Sequence, residues 1–256
     1  MAAAAIADGA DLIIAAGGDG TVSEVVDGMA NSPVPLAILP GGTANVLAHE
    51  VGLRRSVQGA ARQIGECVPS RVSLGKIETA DGEARHFLLM AGAGFDAEII
   101  RDLDPGLKGH FGKLSYFLGG LGHLGRGLRE LEAVSDGRRQ RCSFALISKV
   151  RNYGGDFEIA QEVRLQDDSF EVVLFEGRNS WRYLRYLAGV ATRQLGRTPG
   201  VHSFRAEKVV VRPIDKDVYL QADGELVGKL PATISIVPDA LSLLLPARGR
   251  VNGGMG

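Results

Sequence analysis

The first third of the chain combines short apolar runs with stretches whose apolar residues recur at helical spacing. Residues 12–15 and 36–39 are continuous apolar runs, as expected for parallel strands buried on both faces. Between them, valines and a methionine recur at helical intervals, and Thr21 with Glu24 predicts a capping box that would start this helix. Two more helical stretches follow the second run. The order β-α-β-α-α is typical of an α/β layer.

The chain begins inside this pattern. Residues 2–7 are typical of the last turns of a helix, which Gly9 would end, and the first apolar strand follows directly. A parallel α/β sheet seldom begins on half a helix. We therefore expect the α/β layer in this chain to lack its first strand.

After residue 71 the pattern changes to β-type runs separated by glycine, aspartate, asparagine and proline turns, which predicts an antiparallel sandwich or barrel. Two helical stretches interrupt these runs. One covers residues 107–131, and the other covers residues 181–195, whose apolar residues share one face beginning with Trp181 and Leu184. The predicted strands cover residues 72–77, 87–90, 142–148, 170–175, 209–212, 218–222, 234–237 and 241–245.

Length and composition fit a division into two domains. The 256 residues are 45% hydrophobic and 23% charged, the balance of an ordinary globular protein. The formal net charge of −1 provides no basic field for nucleic acid, so we expect no nucleic-acid partner. The sequence predicts an α/β domain over residues 1–71, an antiparallel β-rich domain over residues 72–246 and a flexible tail over residues 247–256.

Cysteines and histidines do not indicate a disulfide or a metal site. Cys67 and Cys142 are far apart in apolar surroundings, and the five histidines lack metal-ligand spacing. No segment is long and apolar enough to span a bilayer, and the first residues lack the basic start of a signal peptide. We therefore expect a cytoplasmic protein.

The chemistry that the sequence suggests lies at the ends of the first two strands. Residues 17–21, Gly-Gly-Asp-Gly-Thr, open a helix, where glycine N–H groups can approach phosphate oxygens closely. The carboxylate of Asp19 can contribute there only through a cation, which indicates Mg²⁺ bound to a nucleotide. The alternative is a glycine-rich turn in which Asp19 only begins the helix. Residues 39–45 form a second such loop, which we expect beside the first.

These loops carry a resemblance to a known family. Residues 16–28 and 38–48 closely resemble motifs of the diacylglycerol kinase catalytic domain, and residues 152–155, 165–172 and 221–225 follow in that family's order. The superfamily includes bacterial lipid kinases, sphingosine and ceramide kinases and, more distantly, NAD kinases and phosphofructokinases. The resemblance implies an ATP-dependent lipid kinase that phosphorylates a lipid hydroxyl, such as that of diacylglycerol, with ATP between the two domains.

The resemblance also implies roles for particular residues. Glu225 matches the proton acceptor of bacterial members, Asp223 lies beside it as the other candidate base, and Asp19 acts with them at the phosphates. Mg²⁺ would offset charge as the γ-phosphoryl group transfers. Asp223-Gly224 is also expected to form a hairpin turn. The implied nucleotide contacts are Gly17, Gly18, Asp19, Gly20, Thr21, Val22, Ser23, Gly42, Thr43 and Asn45.

A structural Mg²⁺ site is implied by the match of Leu165, Asp168 and Phe170 to one carboxylate and two backbone carbonyls, an oxygen-only ligand set. The alternative is a solvated turn before a strand. Two positions depart from the family pattern, because Ser73 and Val46 stand where many members carry Asp. In those members the Asp at the first of these positions joins the metal–water network.

Two other functions compete with the lipid kinase. An NAD kinase-like enzyme shares Gly-Gly-Asp-Gly but not residues 40–45 or 165–170, and a non-catalytic lipid- or nucleotide-binding remnant is suggested by Ser73 and the missing strand. The expected partner is a lipid substrate at the membrane surface, and a homodimer is one assembly open to the protein. Residues 107–118 mix bases with apolar residues, which predicts either transient peripheral membrane contact or an ordinary packed helix.

Overall fold

The structure is a computed structural model that describes residues 1–102, 125, 127–153 and 157–247. The helices in these ranges are α1 (Ala2–Ala7), α2 (Asp19–Met29), α3 (Val46–Glu50), α4 (Val57–Ile64), α5 (Phe95–Asp102) and α6 (Trp181–Ala191), with a 3₁₀ turn at Leu195–Arg197. The strands are β1 (Ile13–Gly17), β2 (Ser32–Pro40), β3 (Cys67–Thr79), β4 (Ala84–Phe87), β5 (Met90–Gly94), β6 (Leu131–Ser135), β7 (Arg138–Cys142), β8 (Phe144–Ser148), β9 (Asn152–Tyr153), β10 (Phe157–Glu158), β11 (Phe170–Phe175), β12 (Val201–Ala206), β13 (Lys208–Pro213), β14 (Tyr219–Ala222), β15 (Glu225–Lys229) and β16 (Ala232–Pro246).

The first sheet contains the α/β layer. β1 and β2 run parallel, with Ile13 opposite Leu36, and β2 is parallel to the end of β16. The sheet continues from β16 through β13 and β6 to β7 with antiparallel pairing. β3 branches from β16 and pairs in turn with β4. α2 packs beside β1 through buried Val22, Val26 and Met29. The carboxyl ends of β1 and β2 therefore lie at one edge, where open α/β sheets bind ligands.

The longest pairing in this sheet is the antiparallel ladder between β3 and β16. It extends over Cys67–Thr79 on one strand and Ala232–Pro246 on the other. The predicted boundary after residue 71 falls inside β3, so the layer and the sandwich share strands rather than a linker. One bulge interrupts the ladder, because residues 238–240 of β16 lie opposite Ser73 alone.

The second sheet packs on the first and completes the predicted sandwich. Its order is β12-β11-β8-β5-β14-β15, and all neighbours are antiparallel. Side chains from both sheets meet in one buried core, where the rings of Phe87 and Phe170 stack with centroids 5.8 Å apart. The predicted fold class, an α/β domain followed by an antiparallel β-sandwich, is confirmed.

The opposite face of the second sheet is also covered, by α5 and α6. Phe144 stacks on Phe175 with centroids 4.7 Å apart, and Tyr186 meets Phe175 edge-on at 5.2 Å. Phe95 of α5 packs edge-on against Tyr183 of α6 at 4.8 Å. This buried cluster continues into the α/β layer, so aromatic packing joins the helices of the sandwich to the first domain.

Element boundaries differ from the sequence predictions in several places. α2 begins at Asp19 after Gly18, so Thr21 lies inside the helix and the predicted Thr21–Glu24 capping box is wrong. The two runs predicted over residues 234–237 and 241–245 are one strand that bulges between them. Among the described strands, the predicted set lacks β6, β7, β9, β10, β12 and β15. The run predicted over residues 87–90 contains only the end of β4 and the start of β5, with a bend between them.

The buried face of α6 also differs from the predicted one. Trp181 and Leu184 are 58% and 39% exposed, whereas Tyr186 and Val190 are buried. A tyrosine can bury its ring while its hydroxyl keeps a hydrogen bond, and that of Tyr186 donates to the Glu176 carbonyl at 2.6 Å. The tyrosine side of the helix therefore packs inward, and the tryptophan side faces solvent.

Two predicted segments fall outside the described residues, and one predicted helix does not reach its expected end. The membrane-contact segment over residues 107–118 and the tail from residue 248 onward lie outside the described residues. Where the description resumes, residues 127–130 are not helical and Leu131 begins β6, so the predicted helix does not extend to Leu131. No helix in the described ranges is long and apolar enough to cross a bilayer.

Candidate active site

Two glycine loops touch at the carboxyl ends of β1 and β2. The N–H of Gly41 donates to the Gly17 carbonyl at 2.8 Å. A Cβ on Gly42 would lie 2.5 Å from the Cα of Gly18, closer than any side chain can approach without moving the backbone. Glycine is therefore required at this contact, and the prediction that the two loops lie side by side is confirmed.

Asn45 fixes the conformation of the second loop. Its Oδ1 accepts from the Gly42 N–H at 2.9 Å, and its Nδ2 donates to the Gly42 carbonyl at 2.7 Å. Its backbone is left-handed, with φ of 47°, a conformation that asparagine tolerates, and it precedes α3. Gly41 and Thr43 remain exposed. The loop thus holds its backbone open to solvent, as a phosphate-binding loop must.

Asp19 links the two loops. It lies in the first turn of α2, and its carboxylate is close to the N–H groups of Leu47, Val46 and Asn45 at the start of α3. Burial raises the pKa of Asp19, and these N–H groups oppose the shift by stabilising the charged form. The carboxylate therefore lies where both loops meet.

Asp223 forms the predicted hairpin turn with Gly224. β14 and β15 are joined by these two residues, whose φ values of 48° and 87° are those that a two-residue hairpin favours. The Asp223 carboxylate accepts from three backbone N–H groups, those of Leu88 at 3.0 Å and of Leu89 and Met90 at 2.9 Å. Burial raises the pKa of Asp223, and the three N–H groups oppose the shift. This carboxylate is anchored on both oxygens.

Glu225 reaches the first loop from the other domain. Its Oε1 faces Gly20, where a Cβ would come within 3.1 Å of it, and its Oε2 pairs with Nη2 of Arg85 at 2.6 Å. The Glu225 side chain is 37% exposed. β15 therefore carries a solvent-accessible carboxylate from the sandwich to the first turn of α2, beside the phosphate loop.

Asp96 is a third buried carboxylate, which the sequence analysis missed. It lies in the first turn of α5 and is 2% exposed, and it accepts hydrogen bonds from the Tyr153 hydroxyl and, at 2.7 Å, from Nε2 of Gln221. Oε1 of Gln221 in turn accepts from the Gly224 N–H at 2.8 Å. Burial raises the pKa of Asp96 to about 6, and the two hydrogen bonds oppose the shift. One hydrogen-bonded chain therefore connects Asp96 to the Asp-Gly turn.

A cavity of about 180 Å³ lies between α5, α6 and the second sheet. Its walls are mainly apolar, and include Ile99, Phe144, Phe175, Leu187 and Val190. Its polar lining comes from the groups described above, namely Asp19, Asp96, Gln221 and Asp223. A pocket of this kind suits a ligand that is largely hydrocarbon and carries one polar end.

The implied metal ligands lie in another part of the molecule, in the turn that enters β11. Leu165 and Phe170 are buried, and Asp168 is exposed. The ammonium of Lys149 lies under this turn, where burial lowers the pKa of Lys149 to about 8 and the charges of Asp168 and Asp167 oppose the shift. The described residues contain no group of three or more His, Cys, Asp or Glu that could hold a metal ion.

Comparison with known proteins identifies the family. Residues 1–77 match the family described as diacylglycerol kinase catalytic domain, and residues 90–245 match the one described as YegS C-terminal NAD kinase beta sandwich-like domain. A diacylglycerol kinase of Mycobacterium tuberculosis is 31% identical over 255 residues, which cover 97% of this chain and 81% of that protein. This chain belongs to the diacylglycerol kinase catalytic-domain family. It is a lipid kinase, and therefore a transferase.

Other similarities of this lipid kinase agree. The diacylglycerol kinase of Bacillus subtilis is 31% identical over 229 residues, covering 86% of this chain and 73% of that protein. A probable YegS-like lipid kinase of Stenotrophomonas maltophilia is 29% identical over 275 residues, covering 98% and 84%. A crystal structure of a putative diacylglycerol kinase from Bacillus anthracis has a TM-score of 0.79 at 21% identity, covering 95% of this chain and 80% of that one, which shows a common fold.

The structure of the lipid kinase brings most of the predicted site residues together. Asp19 and Asp223 line the apolar cavity, and the two glycine loops meet beside it at Asp19. Glu225 lies beside Gly20 of the first loop, in a separate depression with Arg85. The implied metal ligands join neither group. Within α2, the side chains of Val22 and Ser23 are buried, and the Ser23 hydroxyl lies close to Asp223. Asp96 had a signal that could have been used, because it follows a glycine-rich apolar stretch, Met90–Gly94, after one intervening residue.

Proposed function

We propose that this lipid kinase transfers the γ-phosphoryl group of ATP to the hydroxyl of a lipid such as diacylglycerol. The observation that carries the proposal is that the phosphate loop and the apolar cavity share a residue. Asp19 belongs to the phosphate loop and also lines the apolar cavity. The polar end of a ligand bound in the cavity near Asp19 would therefore lie beside a nucleotide phosphate held by the loops.

ATP would place its phosphates on the backbone of the two loops, at the start of α2. The side chains available there are the Asp19 carboxylate and the hydroxyls of Thr21 and Thr43, an oxygen-only set that fits Mg²⁺. The ion would enter with the nucleotide and neutralise charge on the phosphates. The chain itself holds the loops in register through Gly42 and Asn45.

The lipid would occupy the cavity with its hydrocarbon against Phe144, Phe175 and Val190. Its hydroxyl would then lie on the side of Asp96 and Asp223, the polar lining. Burying apolar chain surface stabilises the complex by about 25 cal/mol per Å². Excluding water from the reacting hydroxyl would also limit wasteful hydrolysis of ATP.

Glu225 is the residue that we propose as proton acceptor. Both oxygens of Asp223 are taken by backbone N–H groups, whereas Glu225 is partly exposed and, among the described residues, pairs through Oε2 with the Arg85 guanidinium. A carboxylate with an unoccupied oxygen can receive the hydroxyl proton as the phosphoryl group departs. Asp223 would act by fixing the turn from which Glu225 projects.

The measurement that tests the proposal is phosphate transfer from ATP to diacylglycerol, a sphingoid base, ceramide and NAD⁺ under one set of conditions. We expect transfer to diacylglycerol. Transfer to NAD⁺ alone would replace the proposal by the NAD kinase-like function. Binding of ATP or lipid without transfer to any acceptor would favour the non-catalytic remnant.

A cavity variant separates the lipid site from the nucleotide site. Val190→Phe should fill the apolar cavity and raise the KM for the lipid about tenfold or more, while the KM for ATP stays unchanged, because one added ring displaces ligand volume in a packed pocket. Ala191→Phe, at the next and exposed position of α6, is the matched control. Equal lipid KM values for both variants would remove the cavity from the function.

The lipid substrate would be collected at a membrane surface, through transient contact from the cytoplasm. The face of α6 opposite the cavity exposes Trp181 and Leu184 and also carries exposed Arg182 and Arg185. Apolar and basic side chains on one helix face favour anionic bilayers. Sedimentation with vesicles containing phosphatidylglycerol should recover wild type more completely than a Trp181→Ser/Leu184→Ser variant, and equal recovery would exclude this face.

A further inference from the structure

Lys149 carries a positive charge into the interior of the sandwich. It directly follows β8, its side chain is fully buried, and its backbone N–H donates to the Leu89 carbonyl at 2.8 Å. Lysine is almost never fully buried unless its ammonium is paired with oxygen acceptors. The hydrogen-bond acceptors around this ammonium therefore indicate the structural role of Lys149.

The acceptors are contributed by both sheets. Nζ donates to the hydroxyl of Ser73 on β3 and to the carbonyl of Asp167 in the turn before β11. The Ser73 hydroxyl also donates to that carbonyl, at 2.9 Å. The carboxylate of Asp167 is held by the Arg164 N–H at 3.0 Å and by Nη2 of Arg205 at 2.8 Å. The ammonium thus fastens the turn of one sheet to a strand of the other.

This is also the turn in which the resemblance implies a structural Mg²⁺. Backbone carbonyls and carboxylates are the ligands of such an ion, and they are equally the acceptors that an ammonium takes. The negative charges of Asp168 and Asp167 already act on Lys149. A divalent ion placed in the same turn would meet a fixed positive charge at close range.

Ser73 also makes the surroundings of this turn less negative, and so less suited to a divalent cation. Where many members of the family carry Asp at this position, this chain has a neutral hydroxyl, and that hydroxyl contacts the lysine ammonium. The turn therefore lacks one negative charge that the resemblance would supply, and the Lys149 ammonium places a positive charge beside it. The residues present do not fit the implied metal.

We propose that the Lys149 ammonium takes the place of a structural divalent cation at the turn formed by Leu165, Asp168 and Phe170. The fold of this lipid kinase then does not depend on Mg²⁺ at that turn. Ser73, Lys149 and the Asp167 carbonyl act as one unit, which holds the strand β3 to the sandwich. Any need of the enzyme for Mg²⁺ comes from the nucleotide alone.

Thermal unfolding of the full chain without nucleotide tests the proposal directly. We expect the Tm in EDTA and in Mg²⁺ to agree for wild type and for Asp168→Ala, since a ligand shifts Tm only if it binds the folded state. A Tm of wild type that rises with Mg²⁺, with the rise lost in Asp168→Ala, would overturn the proposal and restore the metal site.

A second test removes the lysine ammonium and restores a carboxylate at position 73, so that the turn should again bind a divalent cation. Lys149→Ser should lower Tm by several degrees, and Lys229→Ser, which removes an exposed lysine paired with Asp217, should change it by less than about 2 °C. The double variant Ser73→Asp/Lys149→Ser should recover Tm on addition of Mg²⁺ and should bind Mn²⁺ in a titration followed by electron paramagnetic resonance.

Each result of this exchange bears on the proposal. Mg²⁺ that stabilises the double variant but not wild type supports replacement of the metal by the lysine. A Lys149→Ser variant as stable as wild type would show that the ammonium holds nothing together, and the proposal would fail. Should the single variant not fold, the comparison of wild type in EDTA and Mg²⁺ still decides.

Discussion

The glycine loops and the apolar cavity meet at Asp19 as the two halves of the proposed site, and they are built by opposite means. The loops at residues 17–20 and 41–43 use backbone atoms, and their geometry follows from the absence of side chains at Gly18 and Gly42. The cavity uses side chains from α2, the second sheet, α5 and α6, which lie far apart in the sequence. The first half is a local structure, whereas the second exists only after the sandwich has folded.

The difference explains how each half can change. A phosphate loop tolerates almost no substitution, because an added Cβ meets the facing backbone. The cavity is lined by interchangeable apolar groups, and volume-conserving exchanges there cost little stability. We therefore expect the donor site to be uniform among lipid kinases of this kind and the acceptor site to set lipid preference.

The largest expected effect concerns Glu225, the carboxylate beside the first glycine loop. Glu225→Gln should lower kcat about 10²- to 10⁴-fold, the usual cost of losing a general base, while Tm stays within about 2 °C because the side chain is exposed. Steady-state kinetics and thermal unfolding provide both measurements. Asp223→Asn is the contrasting variant, because it loses acceptors for three backbone N–H groups and should lower Tm as well. A Glu225→Gln enzyme with near wild-type kcat would refute the proposed base.

The next largest effect concerns contact between the loops. Gly42→Ala places a Cβ 2.5 Å from the Gly18 Cα, so the loops must separate. We expect kcat/KM for ATP to fall about 10²-fold, the scale of a displacement of roughly 1 Å at a reacting group. The matched control is Gly65→Ala, where a Cβ meets nothing within 4 Å. Unchanged ATP kinetics in Gly42→Ala would show that the loops do not bind the nucleotide.

The smallest expected effect is on stability, and it comes from Asp96. Its pKa of about 6 lies above the unfolded value of about 3.9, so the folded state binds the proton more tightly. The stabilisation by that proton is complete at low pH and is lost as pH rises from about 4 to 6. Asp96→Asn, which stays neutral, should therefore gain up to about 3 kcal/mol over wild type at pH 7 and little at pH 4.

Unfolding by urea at the two pH values measures this difference. The control is Asp136→Asn, which exchanges a carboxylate for an amide at an exposed turn. Activity of Asp96→Asn should fall although stability rises, because the carboxylate lines the cavity. A variant that gains no stability at pH 7 would mean that Asp96 is not strained by burial.

Sequence patterns predicted the parts of the fold that depend on local geometry. β1, β2 and the glycine loops follow from apolar runs and from backbone requirements, and β11 was predicted with its observed bounds, Phe170–Phe175. α6 was predicted at the correct place with the wrong face inward, because a hydrophobicity pattern ranks Trp181 above Tyr186. Tyrosine was favoured inside by a tertiary hydrogen bond, which no periodicity contains.

The candidate site shows the same limit. Asp19, Asp223 and Glu225 were found through motifs, and the hairpin of Asp223 follows from its two turn residues. The roles of Asp96 and Lys149 depend on hydrogen-bond partners that are distant in the chain. Gln221 is such a partner of Asp96, and Ser73 is such a partner of Lys149. A carboxylate or an ammonium is ordinary in a sequence, and only burial beside those partners distinguishes these two.

The bulge opposite Ser73 has a mechanical consequence. The paired strands β3 and β16 form one long ladder through both domains. The bulge at residues 238–240 is the one interruption of that ladder among the described residues. A strand can bend at such a bulge while the ladder on either side stays paired. Lys149 ties Ser73, opposite the bulge, to the turn before β11, so a buried ammonium connects the two sheets at the point where the ladder is interrupted.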